Sequence, residues 1–154
     1  MVVQCSSSSG ADSSFRSFLV RSLDAIAREA PSCHRALSER LAPGRVRLCI
    51  DHERMVVLPH HDRVAIVDDQ PGVPVELSTD SVTLLDLTAG ATSFLDAALD
   101  DRLVVLGDVD AVGRFYEALI VYLQGAVRSP SLSGLLDEFR QSRRDGSPRD
   151  GSAR

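Results

Sequence analysis

The chain contains no lysine; all 17 basic residues are arginine. Genomic base composition is enough to produce that bias, so it carries no functional information. No apolar run approaches the roughly 18 residues that a spanning helix needs, and stable membrane insertion is not expected. Cysteine is scarce: Cys5, Cys33 and Cys49 are the only three, with no pair at CxxC spacing. An odd count without paired spacing supports neither a disulfide framework nor a zinc ribbon. Free thiols in a reducing cytoplasm are the expectation. Met1-Val2-Val3-Gln4-Cys5 lacks the basic and long apolar regions of a signal peptide, and Cys5 comes too early for a lipoprotein signal. There is no G-x-S-x-G, no G-x-G-x-x-G and no phosphate-loop lysine. Seryl catalysis and nucleotide binding therefore have no support, and no cofactor is expected.

What remains is the composition of one globular domain: 154 residues, 44% hydrophobic and 25% charged. The net charge of -5 is unevenly spread. Residues 1–42 hold 5 Arg against 4 acidic residues, residues 43–139 hold 7 against 16, and residues 140–154 hold 5 against 2. An acidic body argues against a nucleic-acid groove. The basic tail (Arg140, Arg143, Arg144, Arg149, Arg154) reads first as a solvated end. The Ser-rich residues 1–13 and the tail 141–154 are expected to be disordered, leaving a single domain over 14–140.

Helical spacing predicts a first helix over Ser14–Ala30, with Phe15, Phe18, Leu19, Leu23 and Ile26 on one face. Pro31 opens a second, which ends before Pro43-Gly44. Four short strands follow: Arg45–Ile50, Met55–Leu58, Arg63–Val67 and Val73–Leu77. The second and third are apolar on both faces and are expected inside the sheet, each side covered. Ser78 or Thr79 can cap a helix from Asp80 to Leu87, with Gly90 at its end, and Thr92 opens a short helix. Arg102–Leu106 is a fifth strand. Asp108 caps a long helix whose Val112, Phe115, Tyr116, Leu119, Ile120 and Leu123 form one wide stripe. Ser129-Pro130 begins the last helix, with Leu132, Leu135, Leu136 and Phe139 on one face. Strands joined by short turns predict an antiparallel meander, and grouped helices an α+β layered fold.

One stretch resembles the sterol carrier protein type 2 superfamily. It runs from Val75-Glu76-Leu77-Ser78-Thr79-Asp80 through Leu84-Leu85-Asp86-Leu87-Thr88-Ala89-Gly90 and Phe94-Leu95-Asp96-Ala97-Ala98-Leu99. It ends at Arg102-Leu103-Val104-Val105-Leu106-Gly107-Asp108. Asp101 replaces the usual small residue before Arg102-Leu103, in a turn that accepts it. The final helix opens with Arg128-Ser129-Pro130-Ser131-Leu132, as bacterial, free-standing members often do. The resemblance covers about Gly44 to Phe139 and marks caps and turns, not chemistry. It implies a five-stranded, mostly antiparallel sheet covered by helices, with an apolar tunnel that holds a lipid, sterol, isoprenoid or similar molecule.

Residue chemistry adds little to that. His52 and His60 fall at opposite ends of the second strand, about 17 Å apart at 3.3 Å per residue, too far to share an ion. His60 and His61 are expected to point apart, no third ligand has metal spacing, and no metal site is expected. Cys33 and His34 are helical neighbours and do not face each other. The pairs Asp68-Asp69, Asp100-Asp101 and Asp137-Glu138 read as caps or solvated faces. Asp86 and Asp96 lie on helices that flank the implied tunnel. Facing inward, either would have a raised pKa and could act as an acid.

The apolar stripes are first of all core. The resemblance makes some of them candidate ligand contacts: Met55, Val57, Leu103 and Val105 on the sheet, Phe94 on the short helix, Tyr116, Leu119, Ile120 and Leu123 on the long helix, and Leu132, Leu135, Leu136 and Phe139 on the last. Tyr116 or Tyr122 could anchor a polar group. The last helix follows the hinge Val127-Arg128-Ser129 and could act as a lid. Three roles fit: a non-catalytic carrier of an apolar small molecule, a tailoring enzyme such as a cyclase or isomerase acting on an apolar natural product, or a module that forms a homodimer or docks through the second face of the sheet.

Overall fold

The computed structural model describes residues 14–146, so Cys5 and most of the expected tail, Arg149 and Arg154 included, lie outside the described residues. Six helices and five strands follow in order: α1 (Phe15–Glu29), α2 (Pro31–Leu41), β1 (Val46–Ile50), β2 (Glu53–His60), β3 (Arg63–Asp68), β4 (Val75–Thr79), α3 (Ser81–Ala89), α4 (Phe94–Leu99), β5 (Leu103–Gly107), α5 (Val109–Val127) and α6 (Pro130–Asp145). Local chemistry sets most boundaries. Asp108 Oδ1 accepts the Ala111 N–H at 2.9 Å and starts α5. Gly90, at φ 71°, ends α3 in the left-handed conformation. β4 runs on through Thr79, so Asp80 rather than Ser78 or Thr79 caps α3, accepting from Thr83 N–H at 2.7 Å. α6 continues to Asp145, past the Gln141 at which the sequence places the start of the tail. The Ser129 hydroxyl does not cap α6; it donates back to the Gly125 carbonyl at 2.8 Å.

The sheet order is β3-β2-β1-β4-β5. Three pairings are antiparallel and one, β1 with β4, is parallel, so the sheet is mostly antiparallel but not the expected meander. β2 is internal, as its two apolar faces predict. β3 is not: it forms an edge. The cause is the segment 69–74, which carries the chain from one edge of the sheet back across β2 and β1 to β4. It crosses on the second face, where Arg47 binds it. Arg47 Nε donates to Asp69 Oδ1 at 2.7 Å, and its Nη2 donates to the Gln70 carbonyl at 2.8 Å. Val56, on that same face, is fully buried. An apolar strand face can therefore be covered by a crossing loop as well as by a helix.

The first face carries the core. Leu48 lies opposite Met55 on one side and Leu77 on the other, and Leu77 lies opposite Val105. α1 and α2 cover β2 and β3, α5 covers β4 and β5, and α2 packs along α5. α6 packs chiefly on α1, with a smaller contact to α5. The turn between β1 and β2 ties helix ends to the sheet. Glu53 accepts the Phe15 and Arg16 N–H groups at 2.7 and 3.2 Å, and Asp51 accepts the Ser81 N–H at 3.0 Å. Each carboxylate sits at the positive end of a helix, where it also stabilises the dipole.

Candidate functional site

α5 is apolar around most of its circumference, but only one side is packed. Ala111, Phe115, Ala118 and Gly125 face inward and are buried. The small size of Ala111, Ala118 and Gly125 sets how closely α5 approaches α2 and the sheet. On the other side Tyr116 is 49% exposed, Ile120 39%, Leu123 47% and Val127 88%. Residues at this spacing lie one above the other along a helix. Ile120, Leu123 and Val127 surround an open surface depression of about 340 Å³, with Gln124 and Arg128 as the polar members of its lining. Phe94 on α4 extends the apolar surface towards the start of α5, meeting the Tyr116 ring edge-on at 6.0 Å between centroids.

The structure divides the residues that the sequence groups together. Met55, Val57 and Leu103 are buried in the core on the helix-covered face, and Val105 packs there half-buried. Leu132 is buried with Ala25, Ile26, Ala30 and Cys33, and Leu135 and Leu136 pack against that group. Phe139 stacks on Phe18 at 5.0 Å and meets Phe15 at 6.1 Å. The apolar face of α6 is thus turned chiefly to α1. Leu119 is half-buried at the margin of the open face. Of these candidates, Tyr116, Ile120, Leu123 and the half-buried Phe94 and Leu119 border the open surface. Val127, the most exposed member, reads in sequence as a hinge; its place seven residues after Ile120 was the available signal.

The titratable groups are engaged elsewhere. The Asp86 carboxylate does not point into a tunnel; Arg102 Nη2 holds it at 2.6 Å. Asp96 is exposed and accepts from the Ser93 hydroxyl at 2.7 Å. Tyr122 is no free anchor: its hydroxyl lies 2.9 Å from Ser22 Oγ between α5 and α1, where burial pushes its pKa up. His60 and His61 do not point apart. Their rings meet at 4.5 Å, because His61 takes a φ of 55° in the turn and swings back over its neighbour. His34 is buried on α2; desolvation, with the nearby Arg63 adding to it, pulls its pKa below the usual histidine value, and Asp24 opposes the shift. No group of three or more potential metal ligands converges among the described residues. No helix among them is long and apolar enough to cross a membrane.

No family model matches the chain, and no curated protein matches it. Solved structures do. The solution structure of the sterol carrier protein domain 2 of Helicoverpa armigera is 14% identical, covers 79% of this chain and 96% of its own, and superposes with a TM-score of 0.52. A ubiquinone synthesis protein, UbiJ-SCP2, is 14% identical over 71% of this chain and 93% of its own, with a TM-score of 0.49. Sterol carrier protein 2 from Yarrowia lipolytica, in its apo form, is 14% identical over 65% and 88%, with a TM-score of 0.46. The first of these, with the mixed five-stranded sheet and six helices, shows that the chain has the sterol carrier protein type 2 fold.

Proposed function

We propose that this chain binds an apolar small molecule and carries or sequesters it, with the ligand seated on the open face of α5. One observation carries the reading: Ile120, Leu123 and Val127 stand exposed around a depression of about 340 Å³, close to the lower end of the roughly 300–1,000 Å³ that small-molecule sites occupy. A contiguous apolar patch of this kind is unfavourable in water unless something covers it. Binding then comes from burial of alkyl or ring surface against Ile120, Leu123 and Val127, with Tyr116, Leu119 and Phe94 extending the contact. Gln124 and Arg128 orient the polar end. The fold shared with a sterol carrier protein domain supports a lipid-like ligand in general; a sterol, isoprenoid or polyketide-like molecule is the class we propose. In this reading the chain works in a reducing cytoplasm, with Cys33 and Cys49 as free thiols.

The experiment is native mass spectrometry of freshly purified protein, followed by solvent extraction and identification of what is released. A stoichiometric apolar adduct that is lost in Leu123→Gln supports the reading. A folded protein that arrives empty and takes up no anilinonaphthalenesulfonate at this face overturns it.

A further inference from the structure

The open side of α5 has a regular spacing as well as apolar character. Tyr116, Ile120, Leu123 and Val127 step by four, three and four residues, which is the step of the knobs on paired helices. The packed side of α5 does not use these residues, so among the described residues no helix covers the seam. We propose that its occupant is α5 of a second copy of this chain, lying antiparallel about a two-fold axis, and that the second copy roofs the depression.

A two-fold interface must be its own complement, and this face is. Centre the pair between Val121 and Tyr122, and Tyr116 falls opposite the partner's Val127 while Ile120 falls opposite the partner's Leu123. Each layer then sets one residue of the seam against another. Charge selects this register. Glu117 and Arg128 lie on the same flank of the seam, both exposed, and Glu117 already accepts from Arg40 Nη1 at 2.9 Å in a solvent-exposed pair that a second arginine can join. In the proposed register Glu117 lies opposite the partner's Ala126, and the partner's Arg128, two residues or about 3 Å further along the axis, is within reach of it. Arg128 forms no ion pair among the described residues; its guanidinium rests 3.6 Å from Cys33 Sγ. Sliding the copies to centre on Ala118 also keeps residues of the seam in layers. That arrangement instead places the two copies of Glu117 side by side, and like charges at such distances repel.

The pairing also completes the site. Small-molecule pockets cover some 70–90% of their ligand, and an open depression on one helix cannot. The same residues that line it lie on or beside the two-fold seam, so the second copy supplies the missing wall. In this respect the inference rests on the binding role proposed above; the pairing itself does not. A seam of this length buries less than the roughly 800 Å² per partner of a standard interface. The expected dimer is therefore weak and concentration-dependent.

Sedimentation velocity of the full chain tests this, from micromolar to near-millimolar concentration. The expected mass is 16.6 kDa when dilute, rising towards twice that value. Ile120→Glu and Leu123→Glu, each at an exposed position and checked for folding by circular dichroism, hold the chain monomeric. Glu117→Arg alone and Arg128→Glu alone weaken association at least severalfold, and E117R/R128E together restore it. A monomer at every concentration overturns the proposal. So does a dimer indifferent to both seam substitutions, or a charge exchange that fails to restore pairing. Uptake of anilinonaphthalenesulfonate, measured on the same samples, separates the two proposals. A monomer that still takes up the dye overturns the two-fold roof alone, and a dimer that takes up none overturns the binding role alone.

Discussion

Ile26 occupies the space that a side chain on Gly125 would need. A Cβ at Gly125 would lie 2.8 Å from Ile26 Cγ2 and 3.2 Å from Cys33 Cβ. Three helices meet at this point, since Ile26 belongs to α1, Cys33 to α2 and Gly125 to α5. Gly125→Ala gains up to about 1 kcal/mol of helix propensity but must displace a fully buried isoleucine. Overpacking of this kind costs about 1–3 kcal/mol, so the net expectation is a loss of stability. Chemical denaturation checks it. Combined with Ile26→Ala, the two changes should cost less than the sum of their separate effects, because the second removes the clash that the first creates.

Arg47 fastens the loop that makes the sheet mixed. It holds Asp69, the Gln70 carbonyl and Glu76, the last at 3.0 Å. Lysine offers one compact charge where these three acceptors require a planar fork. Arg47→Lys should therefore lower the denaturation midpoint nearly as far as Arg47→Ala does. If Arg47→Lys were fully stable, the loop would be held by something other than this fork. The hydrogen bond from Arg47 keeps the Asp69 carboxyl below its usual pKa of 3.8. This contribution is present above that value and is lost as pH falls further, so acid should weaken the wild type and leave Asp69→Asn less affected in that range.

His34 acts in a different pH window. Burial keeps its pKa in the folded chain below the 6.5 of an exposed imidazole. As pH falls below 6.5, the unfolded chain takes up a proton that the folded chain refuses, and stability declines. Above 6.5 both states are neutral and the group has no effect. Thermal melts should therefore show a midpoint that drops on mild acidification, well before carboxylates titrate. His34→Gln should flatten that part of the profile. An unchanged profile in the variant would show that another group carries the dependence.

The order of elements was legible because short-range chemistry fixes it. Asp108, Gly90, Pro31 and Pro130 each act on their own or the next turn, and each stands where that chemistry predicts. The pairing of β1 with β4 was not legible. It depends on which face the segment 69–74 crosses, and Arg47 decides that from a residue whose alternation marks it only as outward-facing. The open face of α5 was half legible. Tyr116, Leu119, Ile120 and Leu123 stand in the sequence as one stripe with Phe115. The small residues Ala111, Ala118 and Gly125 were the sign that the closest packing is on the other side. Eight further candidates on the sheet and α6 are packed against other elements, and apolar character alone does not distinguish a wall facing a ligand from one facing another helix.

That division makes a direct prediction. Leu103 is 2% exposed and Leu123 47%. Leu103→Ala should cost about 2–5 kcal/mol through the cavity it leaves. Leu123→Ala should change stability by less than about 0.5 kcal/mol while reducing dye uptake severalfold. Paired denaturation and fluorescence titrations would show it. Equal loss of uptake in both variants, after correction for unfolded protein, would return the ligand to the space between sheet and helices.

The attachment of α6 bears on whether it can open as a lid. A lid is held by few buried contacts, so that it can open at low cost. α6 is held along its whole length. At its start Leu132 is buried and the Ser131 hydroxyl donates to the Glu29 carboxylate. In the middle Phe139 stacks on Phe18 and meets Phe15 edge-on, and Arg21 donates to Glu138 at 2.8 Å. Towards its end the Arg143 guanidinium lies 4.8 Å over the Phe139 ring and 3.4 Å from the Asp51 carboxylate. Asp51 and Glu53 also accept the first N–H groups of α3 and α1, so the last turn of α6 is tied to the same end of β1 and β2 that holds two other helices. Removing residues 130–154 should therefore uncover Ile26, Phe15 and Phe18 and destabilise the whole domain. Phe139→Ala alone should cost about 3–5 kcal/mol. Hydrogen exchange gives the decisive comparison. Amides in the middle of α6 should exchange with protection close to that of α1, and fast exchange confined to α6 would restore the lid.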